Sequence, residues 1–464
     1  ELLNGSRDYS EWCKKAKFLN IKTLGICEKN TLAGTLAFQE ECKKNKIKSI
    51  LGETISIKVE NNICLGKVFT VNEKGWKNLL LINTEINVKN SSRYIDELKL
   101  LEFSESLIFI FHPAYFPFDE KKIQLYSEMF LQCYFQLDSC EYNNEETDKL
   151  FIIETNKYLK SSINPVLISD AYYLEPEDFE IKSILNTIGG ERDLLSNNQW
   201  FKTYDENVKL LRDLFLEEDK FADIMLKATE SLNKIDNICD FMIETGHFKL
   251  PRYKMTEFQS AKYNNEKALF FDIIEKAFQE KIINKGLNFK IYFDRLEREL
   301  DVIQKGDFID YFLILWDIIK FCKENNILTG VGRGSAAGSL IAYLMDITKV
   351  DPIPYGLLFE RFLNEGRIGK SLPDIDIDFE SLRRNEVKQY MEKRYGYDKV
   401  CSIGTYTVFR IKSAFKDLSR LKGIDISLVN ILSKIFGDTY DESSTLREGW
   451  EYVFKTACKN GFMK

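Results

Sequence analysis

Histidine is nearly absent, with His112 and His247 the only two in 464 residues, and the ten cysteines stand singly with no C-x-x-C pair. Zinc ribbons and fingers need clustered Cys and His at short spacing, so that class is excluded. Scattered thiols suit a reducing, cytosolic compartment, where they serve as small core residues. No apolar run approaches the ~18 to 20 residues that a bilayer span needs. The richest segment, YFLILWDII, is broken by Asp317. The chain opens on Glu1 with neither a Met nor a charged-then-apolar leader, which reads as no secretory signal and as part of a longer reading frame, truncated or cropped.

What is present is an ordinary globular composition, 44% hydrophobic, long enough for about three domains. A formal charge of −7 is wrong for a uniform nucleic-acid binder, but Arg383 to Lys422 holds 11 Lys/Arg against 4 Asp/Glu. Phosphate contacts depend on the facing surface, so that one basic segment can still grip a polyanion.

Residues 1–200 alternate helix-like runs with short apolar strand candidates (TLGIC, SLIFIF, PVLISD), an α/β pattern with a mainly parallel sheet. Residues 201–285 read as a charged helical connector, with apolar residues at three- and four-residue spacing. Residues 286–405 carry the unusual chemistry: a helix DYFLILWDIIKFCKEN, a strand ILTGV, a glycine loop, a helix SLIAYLMDI and an acidic strand. Residues 406–464 read as helical and basic.

In the acidic strand, LPDIDIDFE, Asp374, Asp376 and Asp378 alternate with Ile375, Ile377 and Phe379. Extended backbone sends alternate side chains to opposite faces, so the three Asp share one face at about 6 to 7 Å spacing. At an effective dielectric of ~20 each neighbouring pair repels by roughly 2 kcal/mol. Either neighbouring Lys/Arg or divalent cations must neutralise them. An EF-hand is excluded: counted from Asp374, the required Gly is Phe379 and the required Glu is Asn385.

The loop GVGRGSAAGSL, Gly330 to Leu340, follows a strand candidate and opens a helix, so its backbone N–H groups and the helix N-terminus can receive phosphate. It lacks the Lys of a Walker A motif. It fits a loose G-x-G-x-x-A from Gly332 to Ala337 with Asp351 further on, which keeps a Rossmann-type, NAD-dependent oxidoreductase open as an alternative. FERFLNEGR then supplies Arg361 and Arg367. A phosphate loop, guanidiniums and carboxylates within a short span match the needs of phosphoryl transfer.

The run GVGRGSAAGSLIAYLMDITKVDPIPYGLLFERFLNEGRIGKSLPDIDIDF resembles the palm of the family C bacterial replicative DNA polymerases, the DNA polymerase III alpha subunits. The resemblance continues through VCSIGTYTVFRIKSAFKDLSRLKG and more loosely back to Leu2. It implies a PHP-like (β/α) barrel, a nucleotidyltransferase-type (polymerase beta-like) palm and a helical partial thumb. It further implies template-directed transfer of a deoxynucleotide to a primer 3′-hydroxyl. By the resemblance Asp374 and Asp376 bind two Mg²⁺ with Asp378 in support, and Gly334, Ser335, Arg333, Arg361 and Arg367 hold the dNTP. IGKSL, between Arg367 and Pro373, is longer than the family's usual spacer, a departure that falls beside Arg367 and leaves Arg361 within the family pattern. In the thumb, Lys412, Lys416 and Arg420, with Arg410, form a stripe that tracks duplex phosphates, opposite an apolar face of Ile411, Ala414, Phe415 and Leu418.

The resemblance also implies losses. The family's PHP metal motif T-D-H-G-N-L corresponds to Cys27, Glu28, Lys29, Asn30, Thr31 and Leu32, its G-C-E to Gly52, Glu53 and Thr54, and its D-V-H-Y to Asp170, Ala171, Tyr172 and Tyr173. With so few ligands left, the expectation is a structural domain without a metal cluster, hydrolase or proofreading activity. The family's third catalytic carboxylate falls beyond Lys464, so the 464 residues are not expected to polymerise alone. Expected partners are primer-template DNA, dNTPs and, through regions outside these residues, a sliding clamp and other replisome subunits. No membrane partner is expected, and the setting is the bacterial nucleoid or a phage-infected cell. A DNA-binding pseudo-polymerase is the second alternative.

Overall fold

The computed structural model describes residues 7–116, 119–138, 145–189, 198–214, 218–246, 249–369, 373–405 and 411–435. The chain divides into two compact units, Glu1–Ile243 with Val408–Lys464, and Glu244–Thr407.

The first unit is built on a seven-stranded sheet of order β1-β2-β3-β5-β6-β7, with β4 beside β2. The strands are β1 (Thr23–Lys29), β2 (Lys48–Val59), β3 (Asn62–Thr70), β4 (Ile95–Asp96), β5 (Leu107–Phe111), β6 (Gln132–Leu137) and β7 (Asn164–Leu167). Pairings β1–β2, β2–β4, β5–β6 and β6–β7 are parallel, as the alternating helix and strand text implied. The exception is β3, antiparallel to both β2 and β5. Six of the seven strands therefore point their carboxyl ends the same way, and β3 runs back between them.

Central strands covered on both faces read as unbroken apolar text. In β5 every residue of LIFIF is buried, and Phe109 and Phe111 sit in one large cluster with Phe116, Tyr126, Phe130 and Tyr158. The helix Glu218–Ile238 seals this sheet: Phe221, Ile224, Met225 and Ala228 recur on one helical face and join the same cluster. Ile235 and Cys239 join the cluster on Ile108, Ile110 and Tyr134. This stretch of the segment read as a connector thus packs within the first unit. The helices Ile411–Leu421 and Ile426–Ile435 also group with that unit.

The second unit is helical around Phe270, Phe312, Leu313, Leu340, Ile341 and Phe359. Its long helices, Phe289–Lys305 and Ile309–Glu324, bury one side each. Among its described residues no strand ladder forms, which corrects the expectation of strands at ILTGV and at the acidic segment. The two stretches meet through a single antiparallel bridge, Thr329 with Phe379. Their pairing stays short because the glycine loop turns away: Gly332 and Gly334 have φ of 120° and 65°, left-handed values that suit glycine.

Candidate active site

The acidic segment keeps the alternation without the ladder. Asp374, Asp376 and Asp378 are exposed, while Ile375 and Ile377 pack on the second unit's core and Phe379 on a smaller cluster with Ile327 and Val387. Two backbone bonds lash it to the glycine loop: Gly330 N–H donates to the Asp378 carbonyl at 2.9 Å, and Glu380 N–H to the Leu328 carbonyl at 3.0 Å. The loop and the carboxylates, more than 40 residues apart in the chain, are thereby brought side by side.

Arg333 supplies the neutralising charge. Its Nε lies 3.4 Å from Asp376 Oδ2 and its Nη1 3.3 Å from Asp378 Oδ1. All three side chains are about half exposed, so each pair is worth under about 1 kcal/mol and can be exchanged for a better partner. At Gly334 the space a side chain would fill lies 3.5 Å from Asp376 Oδ2. Ser335 is exposed in the 3₁₀ turn Gly334–Gly338. Arg361 closes a second 3₁₀ turn, Phe359–Arg361, which packs on the first: a methyl at Gly338 would stand 2.6 Å from the Leu358 carbonyl oxygen. Arg367 closes the turn Glu365–Arg367, and its side chain lies outside the described residues.

One expectation is overturned. The helix after the loop, Leu340–Leu344, does not offer its N-terminus to an anion, because the chain's own Glu299 already fills it. Glu299 is fully buried and accepts from Leu340 N–H (2.9 Å), Ile341 N–H (3.0 Å) and Ser339 Oγ (2.9 Å). Arg295 Nε donates to it at 2.6 Å, and the same guanidinium reaches the carbonyls of Gly338 and Leu357. Burial pushes the Glu299 carboxyl up, and these donors oppose that. The same cap, with the absence of a strand ladder among the described residues, removes the dinucleotide-binding alternative, which needs a β-strand feeding an open helix N-terminus.

Sequence reading also missed Tyr311. Its hydroxyl lies at the Ile375 backbone beside Asp374 and Asp376, and burial pushes its pKa up to about 12. The available signal was a tyrosine opening the apolar run YFLIL of its helix, where a buried hydroxyl needs a partner.

Divalent cations fit this acidic face in one form. Among the described residues no group of three or more His, Cys, Asp or Glu is arranged to hold a metal ion, so the three Asp do not form a cage, and Arg333 engages both Asp376 and Asp378 through weak, exposed pairs that a cation can displace. Exposed Asp374 and Asp376 remain as hard oxygen donors, and Mg²⁺ characteristically takes one or two carboxylates and completes its shell with water and phosphate oxygens.

A second polar cluster lies where the strands of the first unit end. Lys67, from β3, is buried, with Nζ 3.0 Å from Asp170 Oδ2 and 2.7 Å from Gln136 Oε1. Gln136 Nε2 faces Asp138, Asp170 and the Ile168 carbonyl. Burial alone would raise Asp170, but the charge and hydrogen bond of Lys67 and the bond from Gln136 hold it below its ordinary value. His112 is held down to about 3 by burial and by Lys67, so it stays neutral. Burial pushes Glu53 up to about 8 against a 2.7 Å bond from Asn83, and its Oε2 has no partner. The residues matching the PHP metal motif therefore do not fit a metal cluster, because an ammonium already occupies their midst.

On the helix Ile411–Leu421, Phe415 is buried, Lys412 and Arg420 are exposed, and Lys416 is half-buried. Arg420 Nη1 lies 3.4 Å from Asp417. Arg410 lies outside the described residues.

Two family models match successive stretches of the chain. Residues 1–227 match the PHP domain and residues 268–458 the bacterial DNA polymerase III alpha NTPase domain. The chain thus joins a PHP domain to a polymerase NTPase domain. It belongs to the bacterial DNA polymerase III alpha-subunit family. It is 30% identical over 463 residues to the DNA polymerase III subunit alpha of Staphylococcus aureus strain Mu50, covering 98% of this chain and 40% of that protein. The Buchnera aphidicola subunit is 29% identical over 480 residues, with 97% and 40% covered, and that of Aquifex aeolicus 30% over 493 residues, with 96% and 41% covered. The chain spans about 40% of the length of these relatives. Among the described residues no helix is long and apolar enough to cross a membrane.

Proposed function

We propose that these 464 residues are the PHP, palm and first thumb portion of a replicative DNA polymerase that transfers deoxynucleotides to a primer 3′-hydroxyl. The observation that carries this reading is the meeting of Asp374 and Asp376 with Arg333 and the glycine loop on one exposed face. Asp374 and Asp376 would hold the two Mg²⁺, which when bound lower the pKa of an attacking hydroxyl and neutralise charge on the leaving oxygen. Arg333 guards the carboxylates until nucleotide arrives, then turns its guanidinium to the triphosphate with Arg361 and Arg367. Gly334 and Ser335 let backbone and hydroxyl approach the phosphates closely. Asp378 keeps Arg333 in reach. Tyr311 fixes the Ile375 backbone between the two metal-binding carboxylates.

Arg410, Lys412, Lys416 and Arg420 contact duplex phosphates without reading sequence. By the family resemblance the third catalytic carboxylate lies outside these residues, so they bind nucleotide and primer-template without extending the primer. Clamp and other replisome contacts belong to regions of the relatives that this chain does not span.

Equilibrium dialysis of a labelled dNTP with and without Mg²⁺ tests the reading. Binding should require Mg²⁺ and weaken at least tenfold in Asp376→Asn. Binding equally tight in EDTA, or unchanged in that variant, refutes it.

A further inference from the structure

In α/β folds the carboxyl ends of parallel strands are where ligand sites form, since loops of free geometry converge there. In the first unit those ends bring together Cys27 from β1, His112 just after β5, Gln136 and Asp138 from the end of β6, and Asp170 after β7. Four of these five can ligate a metal. The antiparallel strand β3 then inserts a residue from the opposite direction. Across the sheet, Lys67 is registered with Thr54 on β2, and Thr54 with Lys29 on β1, so the row that crosses the motif carries two lysines and a threonine. Lys29 is exposed, whereas Lys67 is buried with its ammonium bonded to Asp170 and Gln136.

We infer that the ammonium of Lys67 is a built-in replacement for the metal ions of this domain, neutralising Asp170 and organising Gln136 and Asp138 so that the fold needs no cation from solution. A single charge fixed by the chain performs the structural part of a metal's work: it cancels the carboxylate charge and orients oxygen acceptors around one point. It cannot do the chemical part. An ammonium has no vacant coordination position and activates no water, so the cluster has no hydrolytic role. Thr54 is turned to the same end, donating its hydroxyl to the Cys27 carbonyl at 2.8 Å in place of offering a ligand.

The test uses the full chain. The thermal transition of the first unit is followed by calorimetry in EDTA and in excess Mn²⁺, and Mn²⁺ stoichiometry is measured for wild type and Asp170→Asn. The expected result is one transition temperature in both media and the same stoichiometry in both proteins, since any Mn²⁺ held by the second unit does not involve Asp170. A lower transition temperature in EDTA, or loss of a bound Mn²⁺ in Asp170→Asn, overturns the inference. Lys67→Met should lower the transition by about 5 °C, because it strands a carboxylate, and Lys67→Met/Asp170→Asn should recover most of that loss. If the single variant does not fold, folding of the double variant carries the same information. A single variant as stable as wild type, or a double variant no better than the single, contradicts it.

Discussion

Replacing Glu299 by Ala removes one carboxylate and strands four donors at once. The Leu340 and Ile341 N–H groups and the Ser339 hydroxyl lose their acceptor, and Arg295, itself nearly buried, loses its counter-charge. Breaking one side of a buried ion pair costs roughly 3 to 5 kcal/mol, and each orphaned buried N–H about 1 to 3 kcal/mol. These terms share partners and do not add, because Arg295 retains the Gly338 and Leu357 carbonyls and water enters the vacated space. A net loss of about 4 kcal/mol in the local stability of the loop and its helix follows. Hydrogen exchange read by mass spectrometry on peptides covering Ser339–Leu344 measures this directly. At about 1.4 kcal/mol per factor of ten, exchange should accelerate on the order of a thousandfold. Glu299→Met/Arg295→Met, which removes both charges, should recover part of it. Exchange within tenfold of wild type in Glu299→Ala would refute the claim that this buried pair pins the glycine loop.

Gly338→Ala should destabilise the second unit by about 1 to 3 kcal/mol in denaturant melts, because the new methyl meets the Leu358 carbonyl oxygen at 2.6 Å and forces the two 3₁₀ turns apart. For Glu53, the folded carboxyl keeps its proton to about pH 8 whereas its ordinary value is 4.5. The folded state thus binds more protons between those values, and its stability should fall as pH rises from about 5 to 8, by up to about 1.4 kcal/mol per pH unit. Glu53→Gln should flatten that slope, as melts at successive pH values would reveal. Lys412→Ala and Arg420→Ala should each weaken duplex binding uniformly across sequences and reduce the log–log salt slope by roughly 0.9, measured by fluorescence anisotropy.

The parts of the site that were legible from the sequence are those set by local geometry. Alternation in Pro373–Glu380 depends only on extended backbone, so the exposed Asp and half-buried Ile and Phe positions followed without knowing any neighbour. The α/β character of the first unit and the helix Ile309–Glu324 followed likewise from periodicity. What escaped was set by partners distant in the chain. Glu299 lies on a helix 40 residues before the N-terminus it caps, and nothing in its own surroundings marks it as buried. The same distance concealed Arg333 as the counter-ion of Asp376 and Asp378, and the packing of the Glu218–Ile238 helix on the first unit's sheet. Lys67 did leave a trace: it is the lone charge in NICLGKVFT, a strand otherwise apolar from Cys64 to Phe69, and a charge in such text needs a buried partner.

The central claim is that Asp374 and Asp376 gather divalent cations beside the glycine loop. Iron-mediated cleavage tests it most directly: Fe²⁺ substituted for Mg²⁺, with ascorbate and peroxide, cuts backbone within reach of the bound ion. In the presence of a dNTP, cuts should map to residues 373–378 and 330–336, disappear with excess Mg²⁺, and be lost in Asp374→Asn/Asp376→Asn. Cuts confined to other segments, or an unchanged pattern in that double variant, would contradict it.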